Sequence, residues 1–492
     1  MRNLEAFEVP NDGEIALCEI NGRMQSMNYN YANVNAFTNT LECYPKIHIT
    51  RDLLHPVTSR DEGKALFLPV NVSFLKQLTQ IYYEQGFVEA LHTASAHNQI
   101  IISKGALMVL DILKYINKIR ILFNPNIKYS GTNLINQFSQ TRNWLSNTIR
   151  CISWHPHTKK VAVVTCDDSV RIFSDDNAIM PLLRYKHQRN ITCVAWRYMS
   201  NSEIAVGHEN GITVWNIDAN SLVSRPSISN AVFLKLPNHK PIMSIAWSPK
   251  GDKLVSCAAC DNTIYVWDVE LNKTSSQKRP GSSGNILLKW SQTGEKLFSC
   301  SNGLVFRVWD CYTWECERWT VLDGRVQTAC WSSCGTNLLF ATSTETVIYG
   351  LIIKTDQIFT SNTETSSSQA IPLIDTSKID IEGIVVGGLI QCMESDPKGK
   401  HLAVLFQDTN CVAVFNIVRQ PMLQIIPSSL VIGLPEEKPS IISFLQHFEA
   451  GTCLTIGWSS GRVQYYPIIY TDLSIPNQVN TSLYPSFNTS PF

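Results

Sequence analysis

The sequence predicts an all-β fold, a seven-bladed β-propeller behind an N-terminal extension that holds a strand and several helices. Two observations predict it. One phrase of strand, turn and strand recurs seven times, and each copy carries aromatic or equivalent residues at two fixed points 18–21 residues apart.

The clearest copy reads Ile245-Ala246-Trp247-Ser248-Pro249-Lys250-Gly251, then Asp261-Asn262-Thr263-Ile264-Tyr265-Val266-Trp267-Asp268. A strand ends in an aromatic, a Ser-Pro-x-Gly turn follows, and a later strand ends in Trp-Asp. The first fixed point falls at Trp154, Trp196, Trp247, Trp290 and Trp331, with weaker copies at Ser395 and Phe444. The second falls at Phe173, Trp215, Trp267, Trp309, Tyr349, Phe415 and Tyr465. Copies start 41–64 residues apart, the WD-repeat period of ~40–45 residues plus insertions. A four-stranded blade has two apolar faces and buries neither alone, so blades stack radially and share cores. The aromatics are expected to fill the space between neighbours.

In the third copy, His239, Ser256, Asp261 and Trp267 fall where WD repeats carry a hydrogen-bonding tetrad. Ser, His and Asp together also suggest a hydrolase. Each sits at a repeat-defined position, however, and no strand-turn-helix elbow carries the serine, so the expected role is structural. Asp167 in the first copy and His187 in the second are remnants of the same set.

Three segments are expected: an extension over 1–148, the propeller over 149–468, and a disordered Pro-, Asn-, Ser- and Thr-rich tail over 469–492. In the extension, Gly13 to Met24 alternates as one strand. Helical spacing follows in Phe74, Leu75, Leu78, Ile81 and Tyr82, and again in Leu107, Leu110, Leu113 and Ile116 with Asp111, Lys114 and Lys118 opposite. A third helix carries Leu134, Ile135, Phe138 and Leu145 after Thr132, so helices span roughly 71–145. A polar insertion near 355–385 contains Thr360–Ser368 and reads as a surface loop. Blade seven lacks an outer strand, and Glu14–Glu19 is the expected donor, with Ile468–Tyr470 as the alternative.

Composition narrows function. Hydrophobic residues make up 44% and charged residues 17%, and Lys plus Arg equals Asp plus Glu at 41 each. The basic surplus of a dedicated nucleic-acid binder is absent. The fifteen cysteines sit mostly in apolar runs, for example Cys151, Cys166, Cys193, Cys300 and Cys330, as small core hydrophobes of a reducing compartment. Met1 onward shows no signal-peptide core, and charges interrupt the apolar stretch Ile100–Phe123, so no spanning helix is expected. Cys257 and Cys260 have zinc or redox spacing without a second ligand pair, and His155 in Trp154-His155-Pro156-His157 occupies a turn position. No phosphate loop, catalytic cluster, metal site or cofactor site is expected, so the reading is a non-enzymatic protein.

Certain phrases are more specific than a generic repeat. These are Ser153-Trp154-His155-Pro156-His157 with Asp167-Asp168-Ser169-Val170-Arg171, His187-Gln188-Arg189-Asn190, Val305-Phe306-Arg307-Val308-Trp309 with Gly324-Arg325-Val326-Gln327-Thr328, and Ile456-Gly457-Trp458-Ser459-Ser460-Gly461-Arg462. They resemble the aladin family of WD-repeat nucleoporins over roughly 145–345 and 385–468. The resemblance implies a scaffold or docking component of the nuclear pore complex that supports nucleocytoplasmic transport, with a link to spindle assembly. It implies protein partners, an integral pore-membrane nucleoporin and other nucleoporins, with no direct nucleic-acid contact and only indirect membrane association. The implied location is the nuclear envelope, with cytoplasmic and spindle-pole pools. The chain departs from the family in a tail after Tyr466 shorter than that of vertebrate members and in the Thr360–Ser368 insertion. The alternative function is a substrate receptor of a cullin-type ubiquitin ligase. Such receptors show Trp-Asp-x-Arg, whereas Trp267-Asp268 and Trp309-Asp310 here continue Val269-Glu270 and Cys311-Tyr312. Trp314 and Trp319, five apart on an expected outer strand, would point to opposite faces, which makes one of them a candidate partner contact.

Overall fold

The computed structural model describes residues 4–54 without 12, 29 and 31–40, parts of 74–123, and 131–470 without 176–179, 218–222, 281–283, 354–369 and 421. Seven sheets form the blades of a propeller. Their innermost strands are Ile149–Trp154, Cys193–Trp196, Ile242–Trp247, Asn285–Trp290, Val326–Trp331, Ile390–Ser395 and Pro439–Phe444. Inner strands of six blades shift register near their start, as between Ile242 and Ser244 or Asn285 and Leu287. Such a bulge increases local twist.

The first fixed point of the repeat joins blades. Trp196 Nε1 donates to Ser153 O at 3.0 Å, Trp290 Nε1 to Ala246 O at 3.2 Å, and Trp331 Nε1 to Lys289 O at 2.9 Å. In each pair the acceptor lies on the preceding blade. Ser395, a weak copy in sequence, keeps the bond, its Oγ donating to Trp331 O at 2.8 Å. Trp154 Nε1 reaches Thr455 Oγ1 of blade seven at 2.8 Å, so the bond also crosses the seam between first and last blades. The second fixed point lies on the third strand of every blade.

The seam is closed from the N-terminus. Glu14–Ile20 pairs in parallel with Val463–Ile469, Glu19 opposite Ile468 and Ile20 opposite Ile469. The predicted donor is thus the outer strand, while the alternative, Ile468–Tyr470, lies within and just after the third. The chain then turns at Asn21 and Gly22, both at positive φ (51° and 79°), and Arg23–Asn28 adds a fifth strand. Gly13 to Met24 is therefore a hairpin and not one strand. Asn-Gly is a strong two-residue turn signature, and the alternation runs straight through it.

Other corrections concern the connections. The second half of the polar insertion is ordered: Ala370–Asp375 is the outer strand of blade five, and Ile379–Ile381 pairs with Ile384–Val386. Residues Thr360–Ser368 and the tail beyond 470 lie outside the described residues, as do Leu75 and Ile81 of the first helical pattern, whose Phe74, Leu78 and Tyr82 are helical. Residues 55–133 form a separate compact unit containing helices Phe87–Ser95 and Ile100–Phe123. In it Leu110 is buried, but Leu107 and Ile116 of the predicted stripe are exposed. The third helix runs Gly131–Phe138, and Leu145 lies beyond it, exposed. No helix among the described residues is long and apolar enough to cross a membrane.

Trp247 is the exception among the inner tryptophans, since its buried Nε1 has no acceptor. Trp331→Phe should therefore destabilise by about 0.5–1.5 kcal/mol more than Trp247→Phe, the net worth of one hydrogen bond, because both lose the same ring volume. Denaturant unfolding of the two variants measures the difference. Equal losses would contradict an energetic role for the inter-blade bond.

Candidate functional site

A propeller offers two channel mouths and a rim, and here one mouth is filled by the chain that enters blade one. Helix Gly131–Phe138 is amphipathic, and Leu134, Ile135 and Phe138 are buried with Trp144 in the core shared by blades three to five. From there to Asn147 the segment crosses the starts of the inner strands. Thr141 Oγ1 donates to Arg150 O in blade one, and Trp144 Nε1 donates to Ile191 O at 3.2 Å beside blade two. Gln140 Nε2 donates to Gln327 O at 2.8 Å in blade five, Gln391 Nε2 of blade six donates to Ser139 O at 2.8 Å, and Arg142 N donates to Ser440 O at 3.0 Å in blade seven. Bonds to five blades at their same ends make this segment a plug. The cavity left behind it, about 350 Å³, has Phe138, Ser139, Gln140 and Thr141 at one end and Pro156, Pro249, Gln292 and Gln446 at the other. Trp154, Trp196, Trp247 and Trp290 of blades one to four also line it.

The predicted tetrad is assembled in blade three. His239 Nε2 lies 2.9 Å from Ser256 Oγ, and Trp267 Nε1 donates to the same oxygen at 2.8 Å. Asp261 Oδ2 stands 3.4 Å from His239 Nδ1, longer than a good hydrogen bond, while its Oδ1 accepts from Thr263 N at 2.9 Å. Ser256 and His239 are buried, and a serine whose oxygen already accepts from an indole is no free nucleophile. The other blades satisfy the same indole differently. Trp309 donates to Ser299 Oγ at 2.8 Å in blade four, and Trp215 to Gln188 Oε1 at 3.2 Å in blade two. The indole of blade two is thus met by Gln188 and not by the adjacent His187, which stacks on Phe233. In blade one Asp167 Oδ1 accepts from Thr165 Oγ1 and Ser169 Oγ, and these bonds help hold its carboxyl below the usual range despite the opposing effect of burial.

Of the remaining sequence candidates, His155 is a turn residue. Its Nδ1 accepts from the backbone of His157 and Thr158, and Nε2 meets Ser200 O at 2.9 Å. Burial pushes its pKa down to about 4, which keeps the ring neutral. Cys257 is buried in a strand and Cys260 is exposed in the turn beyond it. Cys166 too is exposed, not a core residue, because it stands just outside the strand ending at Thr165. Among the described residues no three His, Cys, Asp or Glu side chains gather as a metal site.

Trp314 and Trp319 do not point to opposite faces of one strand. Trp314 sits in the turn at φ 57°, and the outer strand begins only at Cys316. Both rings are partly buried against the core of blades three to five, Trp319 stacked on Phe306 at 6.2 Å. The exposed side chains nearby are Tyr312, Leu304 and Leu322.

Residues 130–469 match the family described as the Aladin seven-bladed propeller. The chain belongs to the aladin family. It is 26% identical to Aladin of Arabidopsis thaliana over 361 residues, covering 66% of this chain and 77% of that protein. It is also 24% identical to the WD repeat-containing protein AAC3 of Dictyostelium discoideum, over 44% of each chain. Among solved structures, the propeller domain of Myceliophteria thermophila Cps50 (Swd1) superposes with a TM-score of 0.50 at 13% identity, over 65% of this chain and 97% of that one, which speaks to fold alone. The family match begins at residue 130, one residue before the plug helix, so the plug belongs to the region aladin propellers share.

Removing Ser256 Oγ leaves the Trp267 and His239 ring nitrogens unpaired in the core. Ser256→Ala should cost about 1–3 kcal/mol, whereas Asp268→Ala, which loses one turn bond to Leu271 N, should cost a few tenths to 1 kcal/mol. Chemical denaturation reads both, and equal losses would count against a buried network.

Proposed function

We propose that the protein is a non-enzymatic docking component of the nuclear pore complex, held at the nuclear envelope by a protein partner and supporting nucleocytoplasmic transport. Membership of the aladin family carries this reading. The geometry supports it in a second way, because the Ser, His and Asp of blade three serve as internal braces and their polar atoms are spent on one another. A propeller of this kind works by presenting rim and mouths to other proteins. The anchor we infer is an integral pore-membrane nucleoporin, with other nucleoporins as further partners. The chain has equal numbers of acidic and basic residues, which gives it little general attraction to anionic lipid, and none of its described helices spans a bilayer. That combination supports attachment through protein.

The test is imaging of the fluorescently tagged protein in living cells. A sharp nuclear-rim signal, lost when the pore-membrane nucleoporin is depleted, is the expected result. Diffuse signal in undisturbed cells, or rim signal that survives the depletion, contradicts the anchoring.

A further inference from the structure

The channel behind the plug has an uneven lining. The residue just before the first fixed point of each repeat is Ser153, Ala195, Ala246, Lys289, Cys330, Glu394 or Ser443, and all of these but Cys330 line the cavity. Five are small, and two are long and oppositely charged. Blades seven, one, two and three contribute only Ser and Ala, so the free volume of about 350 Å³ is opposed by Lys289 and Glu394 of blades four and six. The two charges are more than an ion-pair distance apart, and no described side chain forms a hydrogen bond or ion pair with Lys289 Nζ. Glu394 is partly buried along the cavity wall, and the nearby backbone N–H of Phe444 favours its charged form. The plug closes one end, so access is from the other, where Pro156, Pro249, Gln292 and Gln446 of the lining are uncharged.

We infer that this blind funnel is a binding site for a carboxylate, which pairs with the Lys289 ammonium while a protonated Glu394 donates a hydrogen bond to it. A concave, largely apolar cavity with a few convergent polar groups is the usual form of a small-ligand site, and this one is lined by tryptophans and aliphatic side chains around Lys289 and Glu394. The choice of an anion follows from the charges. Burial raises the Glu394 pKa to about 7 against the opposing pull of Lys289, so near neutrality a substantial share of the molecules hold a neutral acid beside an uncompensated ammonium. The other titratable groups facing Glu394 are the thiols of Cys151, Cys330 and Cys392 and the phenol of Tyr198. Burial raises the pKa of each, so they stay neutral and leave Lys289 as the one positive charge of this set. The same chemistry is offered by a free dicarboxylate and by an acidic side chain of a polypeptide.

Calorimetric titration of the full chain with succinate and with acetyl-Gly-Glu-Gly-amide, each at pH 6 and pH 8, tests the site and separates the two sources. At least one probe should bind, and roughly tenfold more tightly at pH 6, because the protonated, competent fraction of a group with a pKa near 7 falls about tenfold over that interval. Binding of succinate alone identifies a free metabolite as the source, and binding of the peptide identifies a polypeptide. Glu394→Gln, always a neutral donor, should bind at both pH values with the pH 6 affinity, and Lys289→Met should lose binding while melting as the parent does. Failure of both probes to bind Glu394→Gln at pH 6 overturns the inference. So does an affinity that stays level or rises from pH 6 to pH 8, since a protonated Glu394 would then not be what holds the carboxylate.

Discussion

Everything in this molecule depends on closing the ring. A blade exposes two apolar faces, and only a neighbour on each side removes both from water. Six of the seven junctions follow from chain order, but the junction between last and first blades needs a device of its own. Here the device is the N-terminal chain. Leu4 and Phe7 enter the core of blades five and six, Phe7 edge-on to Phe415 at 5.0 Å. Glu14–Ile20 completes blade seven in parallel register, and Tyr44, Ile47, Ile49 and Leu54 are buried with Trp154, Ile441 and Tyr465 across the seam. At the seam, Ile47, Ile49 and Leu54 are each worth about 1.5–3 kcal/mol when fully buried, so the belt stabilises the junction far more than the two-residue pairing of its strand suggests. Glu19 adds direction to the fit. Its buried carboxylate accepts from Ser428 and Ser429 of blade six at 3.0 and 2.8 Å, and burial raises its pKa.

The plug closes the same ring from inside. It binds five consecutive blades, five, six, seven, one and two, and so spans the seam between last and first, through hydrogen bonds and buried side chains. A spoke of this kind resists the splaying of blades that a hoop of inter-blade tryptophan bonds alone would permit. It also makes the two faces of the propeller unlike each other. One mouth is protein surface built by residues 134–147, and the other leads into a largely apolar cavity that carries Lys289 and Glu394. Partners that bind the two faces therefore meet different chemistry on a scaffold whose seven repeats are superficially alike.

The repeats were legible in the sequence because the inter-blade indoles and the third-strand aromatics have fixed spacing and few substitutes. Even Ser395, which replaces an indole, keeps its acceptor. The closing strand was legible as a missing partner in blade seven together with an alternating stretch near the N-terminus. The hairpin at Asn21-Gly22 was hidden because hydrophobic alternation continues across it, and the outer strand Ala370–Asp375 because a Ser- and Thr-rich run adjoins it. The helix of the plug was legible from its apolar spacing, but its path across the blades left almost no trace. Most of its contacts are backbone carbonyls on blades 9 to 298 residues distant in sequence, and Arg142, Gln140 and Asn147 in isolation read as ordinary polar loop residues. Trp314 and Trp319 escape the two-residue alternation of a strand because the chain makes a left-handed turn at the first of them.

Hydrogen exchange of the intact protein tests most directly whether the N-terminal segments are members of the ring. The amides of Glu14–Ile20 and of residues 139–147 should exchange only in the same opening event that frees the strand Gly451–Trp458 of blade seven, with comparable protection. Early exchange of either segment while that strand stays protected would show that the ring closes without it, and would contradict the dependence of closure on the N-terminal chain.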